Sequence, residues 1–403
     1  MKQVKTSFLP WIYIGLLMAS MAAGLLTATP SPQDDFSLYQ SFIESLAGGK
    51  FDLAIPGFHG TDIWGFAVYM VTRSPIAQIY GLMIAAILLP FFAFIAGKEL
   101  FKSEWHGVVL ASIITMMSFV SFVCLRGWTG PGYWSWMLLT VWAAARQSRF
   151  TGIFWALAIL SKPFAVILLP LIFVLQKKRK KIFSILNFQF SISPSIITGL
   201  LIVAVYLLAQ YIQAGQIFVG AHADLSPVGA FQGTERILLN LAHSFQILFS
   251  VHNYYYPDPA LTGPGNMMHT SPVLIFLGLF GLLAAGEVWK KQLNLASALL
   301  AGALFGIAMN AMLDHMDHFY MEASILLFVL AALPVLRKYP LWIPLALLTL
   351  HFQPFYFWMQ YQSGFALTWW FWAPIAVIDI CFAGWLLGLL TGSCSMSSKN
   401  SAS

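Results

Sequence analysis

Two adjacent carboxylates, Asp34 and Asp35, occur in a chain that has only 15 acidic residues among 403. They follow the first hydrophobic stretch, residues 8–28, and precede a segment whose apolar residues recur with helical spacing. A carboxylate fixed at the start of a helix can act as a general base for a hydroxyl proton. It can equally cap the helix, which stabilises it by about 0.5–2 kcal/mol. The pair alone does not distinguish catalysis from capping.

The helix that would position this pair is predicted to begin at about residue 36. Gly48 and Gly49 predict its end, because glycine readily adopts the backbone conformation that follows a helix. One side of it is apolar, as expected of a helix lying on a membrane surface. This side comprises Phe36, Leu38, Tyr39, Phe42, Ile43 and Leu46.

The composition places these residues in a membrane protein. The chain is 59% hydrophobic and 9% charged, and apolar runs long enough to cross a bilayer recur along it. We expect an all-α, polytopic transmembrane helix bundle of about 11–13 spans with extracytoplasmic amphipathic helices. Residues 1–392 would form one integral membrane domain, and residues 393–403 a disordered cytoplasmic tail. Basic residues are scattered at span ends rather than clustered, which excludes a nucleic-acid partner.

Two long loops are expected on one side of the membrane, at residues 29–75 and 212–271. With the N-terminus in the cytoplasm, 16 of the 21 basic residues lie on the cytoplasmic side and 11 of the 15 acids on the other. Cytoplasmic loops are enriched in Lys and Arg. We therefore predict a plasma-membrane protein with both termini in the cytoplasm and the Asp pair outside. The second loop carries a predicted amphipathic helix that begins at Thr234 and has Arg236 and His243 on its polar side.

Residues 150–175 are predicted to form a hairpin of two short spans. Arg146 and Arg149 precede the segment, and five basic residues at 177–181 follow it. Both flanks therefore belong on the cytoplasmic side, which a single span cannot satisfy. The turn is expected at Lys162-Pro163, since a residue before proline avoids the helical conformation.

Three motifs resemble the GT-C superfamily of multi-pass membrane glycosyltransferases. Residues 34–51 are similar to the acidic pair, aromatic residue and glycine-ended helix of its first extracytoplasmic loop. Residues 154–170 resemble its Lys-Pro hairpin that returns through Leu-Leu-Pro, and residues 97–101 its cytoplasmic turn after span two. The likeness covers roughly residues 8–176.

The resemblance implies a cell-envelope glycosyltransferase that takes a sugar from a polyprenyl phosphate, as dolichyl- and undecaprenyl-phosphate mannosyltransferases do. Asp34 or Asp35 would accept the proton of an acceptor hydroxyl on a glycan, lipid or protein, with inversion at the anomeric carbon. The outer cations Lys162, Arg126 and Arg236 are candidates for holding the lipid-linked phosphate, because fixed cations stabilise charge on a leaving group. Tyr39 and His243 complete the predicted substrate-binding set. The alternative for Lys162 is that it binds no phosphate and that its long side chain only carries the amine to the membrane surface.

The cofactor is unknown from sequence, and a divalent cation is left open. Many GT-C relatives carry an acid in the loop after span three, whereas residues 127–133 here have none. The segment 314–318, Asp-His-Met-Asp-His, has ligand types that suit Mn²⁺ or Zn²⁺, although a solvated turn explains it as well. His351 and Asp379 lie within predicted spans, where ionisable groups require partners.

The alternative function is a non-catalytic transporter or flippase of lipid-linked sugars. It would share the hydrophobicity and the basic flanks of the spans. It would also place charged residues deep in the spans along a path. Only His351 and Asp379 meet that description in the sequence.

Overall fold

The computed structural model describes residues 8–33, 35–176, 193–217, 234–249, 271–289, 292–312, 318–361 and 366–397. Within these ranges all regular secondary structure is helical, as predicted. The N-terminal helices are α1 Leu9–Thr27, α2 Phe36–Ala47, α3 Asp62–Thr72, α4 Ala77–Phe101, α5 Glu104–Met116, α6 Ser118–Phe122, α7 Gly130–Ala145, α8 Thr151–Ser161 and α9 Leu169–Gln176. The C-terminal helices are α10 Pro194–Ala214, α11 Thr234–Leu248, α12 Pro272–Leu283, α13 Ala285–Val288, α14 Leu293–Ala311, α15 His318–Lys338, α16 Trp342–Tyr361 and α17 Ala373–Ser397.

Five helices of the described ranges are long and apolar enough to cross a membrane, or six if a bent pair counts as one span. They are α1, α4, α10, α14, the segment Trp369–Leu387, and the pair Glu104–Met116 with Ser118–Arg126. These helices indicate a membrane protein. The number is lower than the predicted 11–13 because several predicted spans form helices that are too short. At 1.5 Å per residue, the 11 residues of α8 cover about half of a 30 Å hydrocarbon core.

The bent pair consists of α5 and α6, which meet at an angle of 66°. The sequence predicts one straight span here, over residues 107–125. The helix breaks at Met117, whose backbone (φ −74°, ψ 72°) is not helical. No proline or glycine occurs at the break, so its position could not be read from the sequence.

The ends of the long helices gather at two opposite ends of the bundle. At one end, Lys98 of α4 lies over the Trp11 ring of α1, and Arg337 of α15 donates to Ser103 before α5. At the other, Thr27 of α1 is bonded to Thr368, and Gln213 of α10 accepts from Leu53 N. We name the first the basic end and the second, which carries Asp35, the loop end. This alternation agrees with the predicted loop order.

The predicted hairpin is confirmed. Gln176 at the end of α9 donates to Thr151 at the start of α8 over 2.8 Å. The hairpin therefore starts and ends at the basic end. The indole N–H of Trp155 in α8 donates a hydrogen bond to Ala165 O (2.9 Å), which holds the returning segment against α8. Lys162 has an extended backbone (φ −154°, ψ 123°) and forms the tip, as expected before Pro163.

Five spans are predicted after residue 271, and the described ranges there contain five helices of 12 residues or more, of which α12 is too short to cross a membrane alone. The predicted amphipathic helix in the second loop is present as α11. Asn240 of α11 donates to Ala311 O of α14, and Asn310 of α14 donates to Ser244 of α11. The tail predicted to be disordered begins at residue 393, and α17 extends to Ser397. The segment 393–397 prolongs an apolar helix without a proline to stop it. Residues 398–403 lie outside the described ranges.

Candidate functional site at the loop end

Asp35 lies at the N-cap of α2, where the sequence predicts it. Its side chain makes no capping hydrogen bond to the helix. The cap is instead formed by the backbone, since Leu38 N and Tyr39 N both donate to Asp35 O. Stabilisation of the helix by a carboxylate cap therefore does not account for this aspartate. Asp34, the second predicted catalytic residue, lies outside the described residues.

The segment that leads to Asp35 lies beside Arg126. Ser31 N donates to Leu125 O (2.9 Å) and Gln33 N to Arg126 O (3.1 Å). The guanidinium carbon of Arg126 lies 5.1 Å from the centroid of the Trp128 ring. The loop that leads to the predicted base Asp35 is thus held against Arg126, the predicted phosphate ligand, by backbone hydrogen bonds, although the two residues are 91 positions apart in the sequence.

Gly127 and Phe36 pack closely where this segment meets Arg126. Gly127 has φ +89°, and a β-carbon there would lie 2.6 Å from the Phe36 ring. Glycine is required on both grounds. Because Phe36 is the first residue of α2, this contact fixes the beginning of the helix against the end of the bent span.

Tyr39, the predicted aromatic ligand, lies one turn after Asp35 and is half-buried. Its ring covers Gly57, where a β-carbon would lie 3.3 Å from the tyrosine, and Gly57 has φ +130°. The ring centroid lies 6.4 Å from that of His59, edge to face. Tyr39 thus joins α2 to the Gly57 turn of the first loop.

A buried network that the sequence does not predict lies behind Tyr39. His59 Nδ1 lies 2.7 Å from Asp62 Oδ2, and both side chains are only 1% exposed. Gln78 donates to Asp62 Oδ1 (3.0 Å), and His59 Nε2 lies 3.0 Å from Ile55 O. The His59 ring stacks on Phe42 at 3.7 Å. A histidine three residues before an aspartate is the only local signal, and Gln78 is not local.

Burial raises the pKa of the Asp62 carboxyl above its ordinary range, although the hydrogen bonds from His59 and Gln78 oppose this shift. One proton is shared between Asp62 and His59, since the other ring nitrogen faces a carbonyl that can only accept. The pair therefore locks the Gly57–Gly60 turn to α3 and α4. It lies too deep to meet a substrate directly.

Lys162 does not reach the membrane surface as an unpaired amine. Its Nζ lies 2.9 Å from Glu322 Oε2 of α15, with side-chain exposures of 12% and 7%. The amine also lies 5.2 Å from the centroid of the Tyr133 ring. Glu322 thus supplies a partner for the amine that the sequence did not predict, and the role of Lys162 as a cation for phosphate stays a prediction. The pairing escaped sequence analysis because the partners are 160 residues apart.

One short segment connects the Asp35 loop with the Lys162 pair. It begins at Arg126, beside the loop, and reaches Tyr133, which lies against Lys162. Within it, Gly132 contacts Thr61, so that a β-carbon would lie 2.9 Å from the threonine. Trp136, a turn later, donates to Gly60 O (3.0 Å). The segment 126–136 thus contacts the Asp35 loop, the turn at Gly60 and Thr61, and the tip of the hairpin.

The remaining predicted residues are only partly placed. Arg236 and His243 belong to α11, which packs on α14 and α15, but the structure does not describe their side chains. Residues 314–317 lie outside the described ranges. Across the described residues, no group of three His, Cys, Asp or Glu side chains is placed to hold a metal ion. His351 and Asp379 pair with each other at 2.9 Å, which confirms their predicted structural partnership.

The arrangement offers a carboxylate that makes no hydrogen bond to cap its helix, a loop held against Arg126 by backbone hydrogen bonds, and an aromatic ring one turn away. A carboxylate can accept a hydroxyl proton, and a guanidinium can bind a phosphate through two parallel hydrogen bonds. Comparison with known proteins identified no protein family, no curated protein and no solved structure that matches the chain.

Proposed function

We propose that the protein is a membrane glycosyltransferase that moves a sugar from a polyprenyl-phosphate carrier to an acceptor hydroxyl. The observation that supports this most is the pair of backbone hydrogen bonds that hold the Asp35 loop against Arg126. These bonds bring the segment of the proposed proton acceptor against the residue proposed to bind phosphate, at one end of a bundle of apolar helices. A substrate with an apolar tail, a phosphate and a sugar fits that combination.

In the proposed reaction, the carboxylate of Asp34 or Asp35 takes the proton of the acceptor hydroxyl. The hydroxyl oxygen attacks the anomeric carbon from the side opposite the phosphate, and the bond between that carbon and the phosphate oxygen breaks. The electron pair leaves with the phosphate, and the anomeric configuration inverts. The Arg126 guanidinium stabilises the negative charge that develops there. Tyr39 provides a ring against which a sugar can stack.

The proposed setting is the plasma membrane, with the loop end extracytoplasmic. Six described basic residues lie at the basic end: Lys98, Lys102, Arg146, Arg149, Arg337 and Lys338. A concentration of Lys and Arg at one end is typical of the cytoplasmic side. The donor would then enter from the outer leaflet.

The test is sugar transfer from polyprenyl-phosphate donors by purified protein in lipid bilayers. Asp34→Asn and Asp35→Asn remove the base while changing the side chain least, and Arg126→Gln removes the phosphate ligand. We expect at least one aspartate variant to lose about 10²-fold or more in rate. Asp52→Asn, in the same loop, is the matched control and should keep the parent rate. Normal transfer by both single aspartate variants and by the double variant would refute the role of the pair.

A lipid-linked-sugar transporter is the second candidate. It is favoured by the buried Lys162–Glu322 pair and by the break between α5 and α6, since transporters place buried charges and interrupted helices along their paths. Flipping of a fluorescent polyprenyl-phosphate sugar across proteoliposomes, without any transfer product, would support it. Transfer that requires Asp34 or Asp35 would exclude it.

A further inference from the structure

An apolar cavity of about 630 Å³ lies in the half of the bundle nearer the basic end. Residues of α1, α5, α16 and α17 form its walls, among them Leu16, Val109, Leu347 and Phe382. Its size is ordinary for a small-molecule site, roughly 300–1,000 Å³. The candidate site around Asp35 is at the opposite end of these helices, so the cavity is not part of it.

The cavity borders on the outer surface of the bundle. Ile12 and Leu16 on its α1 wall are 58% and 49% exposed, and Cys381 on its α17 wall is also exposed. Both walls belong to helices that can cross a membrane, so this surface faces lipid. Apolar cavities do not hold water. An acyl chain is the matching occupant, because apolar surface is buried favourably against hydrocarbon.

A cation lies at the basic end of the same cavity. Leu336 forms part of the wall, and Arg337 follows it with an exposed side chain. Arg337 donates to the neutral hydroxyl of Ser103 over 3.2 Å, immediately before the α5 helix that forms another wall. Trp105, the second residue of α5, is of a type common at membrane interfaces and also lines the cavity.

The acids near this point are already paired. Glu104 lies 2.8 Å from Lys98, and Glu287 is bonded to Lys338. A phosphate beside Arg337 therefore meets a positive charge and not an opposing carboxylate. Zwitterionic lipids would bring a cationic group to the same position, which disfavours them.

We propose that this cavity binds one anionic membrane phospholipid, with an acyl chain between α1 and α17 and the phosphate at Arg337. In the proposed orientation the basic end faces the cytoplasm, where anionic lipids are attracted to basic residues. The site does not rest on glycosyl transfer, and its test needs no activity.

The test uses a phosphatidylglycerol with a photoactivatable group in one acyl chain, and a phosphatidylcholine with identical chains. Each is bound to the purified full chain in mixed micelles, and crosslinked peptides are mapped by mass spectrometry. We expect crosslinks on Leu347 and Phe382, with about fivefold more from phosphatidylglycerol. Arg337→Gln should abolish that preference, while Arg149→Gln, an exposed arginine at the same end, should retain it.

Occupancy of the cavity is tested by filling it. Leu347→Trp adds bulk inside the cavity, whereas Leu348→Trp adds the same group on the 58% exposed neighbouring position. Leu347→Trp should remove the crosslinks at Phe382, and Leu348→Trp should not. Equal labelling by both lipids, or labelling of Phe382 that both tryptophan variants leave unchanged, would overturn the proposal. Thermal melting of each variant establishes that it is folded.

Discussion

At the scale of single residues, Glu322 determines what Lys162 can do. Lys162 lies at the tip of the hairpin, as predicted, and its amine was expected either to bind phosphate or to reach the membrane surface. The carboxylate that faces it comes from α15 and is itself only 7% exposed. Two buried opposite charges depend on each other, because either one alone would be left without compensation in a low-dielectric interior.

We therefore expect Glu322→Gln to lower the free energy of unfolding by about 3 kcal/mol or more, because it leaves the buried Lys162 charge without an opposite charge beside it. The double variant Lys162→Leu/Glu322→Leu should recover most of this loss. Glu99→Gln, which breaks the exposed pair with Lys102, is the control and should cost at most about 1 kcal/mol. Thermal or denaturant unfolding in detergent measures all of them. The single variants Lys162→Leu and Glu322→Leu complete the cycle, and a double variant whose loss equals the sum of theirs would show that the pair is not coupled.

The Asp62 carboxyl gives a second prediction at this scale. Because burial raises its pKa, the folded protein holds this proton more tightly than the unfolded chain does. The resulting stabilisation is fully present below the ordinary carboxyl pKa of about 4 and is lost as the pH rises through the raised value. Relative to Asp62→Asn, the parent should therefore melt at progressively lower temperature as the pH increases.

The measurement is the melting temperature of parent and Asp62→Asn between about pH 4 and pH 8. Asp52→Asn, on the surface of the same loop, should follow the parent curve. A constant difference between parent and Asp62→Asn across this range would contradict the assignment.

At the scale of elements, most helices could be predicted from the sequence, but few of the contacts between them could. Apolar periodicity and glycines placed α2, and charge flanks with a proline placed the α8–α9 hairpin, because these signals are local. The break between α5 and α6 and the partners of Lys162 and His59 arise from tertiary packing, which a local pattern does not encode. Asp35 and Arg126 were both proposed as functional residues, but only the folded chain brings them together.

Close helix packing gives a prediction at this scale. Gly152 of α8 faces Ser195 at the start of α10, and a β-carbon on it would lie 1.8 Å from Ser195 O. Gly152→Ala must therefore separate α8 from α10, and we expect a loss of about 1–3 kcal/mol of stability. Gly15→Ala in α1, where no atom lies within 4 Å, is the matched control and should be neutral or stabilising. Equal melting temperatures for the two variants would contradict the close contact.

At the scale of the whole molecule, the bundle has two chemically different ends. The loop end carries Asp35, Arg126 and the buried His59–Asp62 pair, and the basic end carries most of the described lysines and arginines of the helix termini. The structure supports the predicted alternation of helices, since each long helix joins one end to the other. The side of the membrane that each end faces follows only from the charge distribution.

The last prediction concerns that orientation. Single cysteines are introduced into a chain in which Cys124, Cys381 and Cys394 are replaced by alanine or serine. Ser37→Cys lies on the exposed side of α2 at the loop end, and Lys102→Cys is exposed at the basic end. If basic residues mark the cytoplasmic side, a membrane-impermeant maleimide added to intact cells should label position 37 and not position 102.

Permeabilised cells provide the control, because both positions should then react. Labelling of position 102 but not of position 37 in intact cells would reverse the orientation. It would place Asp35 and Arg126 in the cytoplasm, where a donor from the outer leaflet could not reach them, and the proposed lipid at Arg337 in the outer leaflet. The orientation therefore links the two proposed sites, although each has its own independent test.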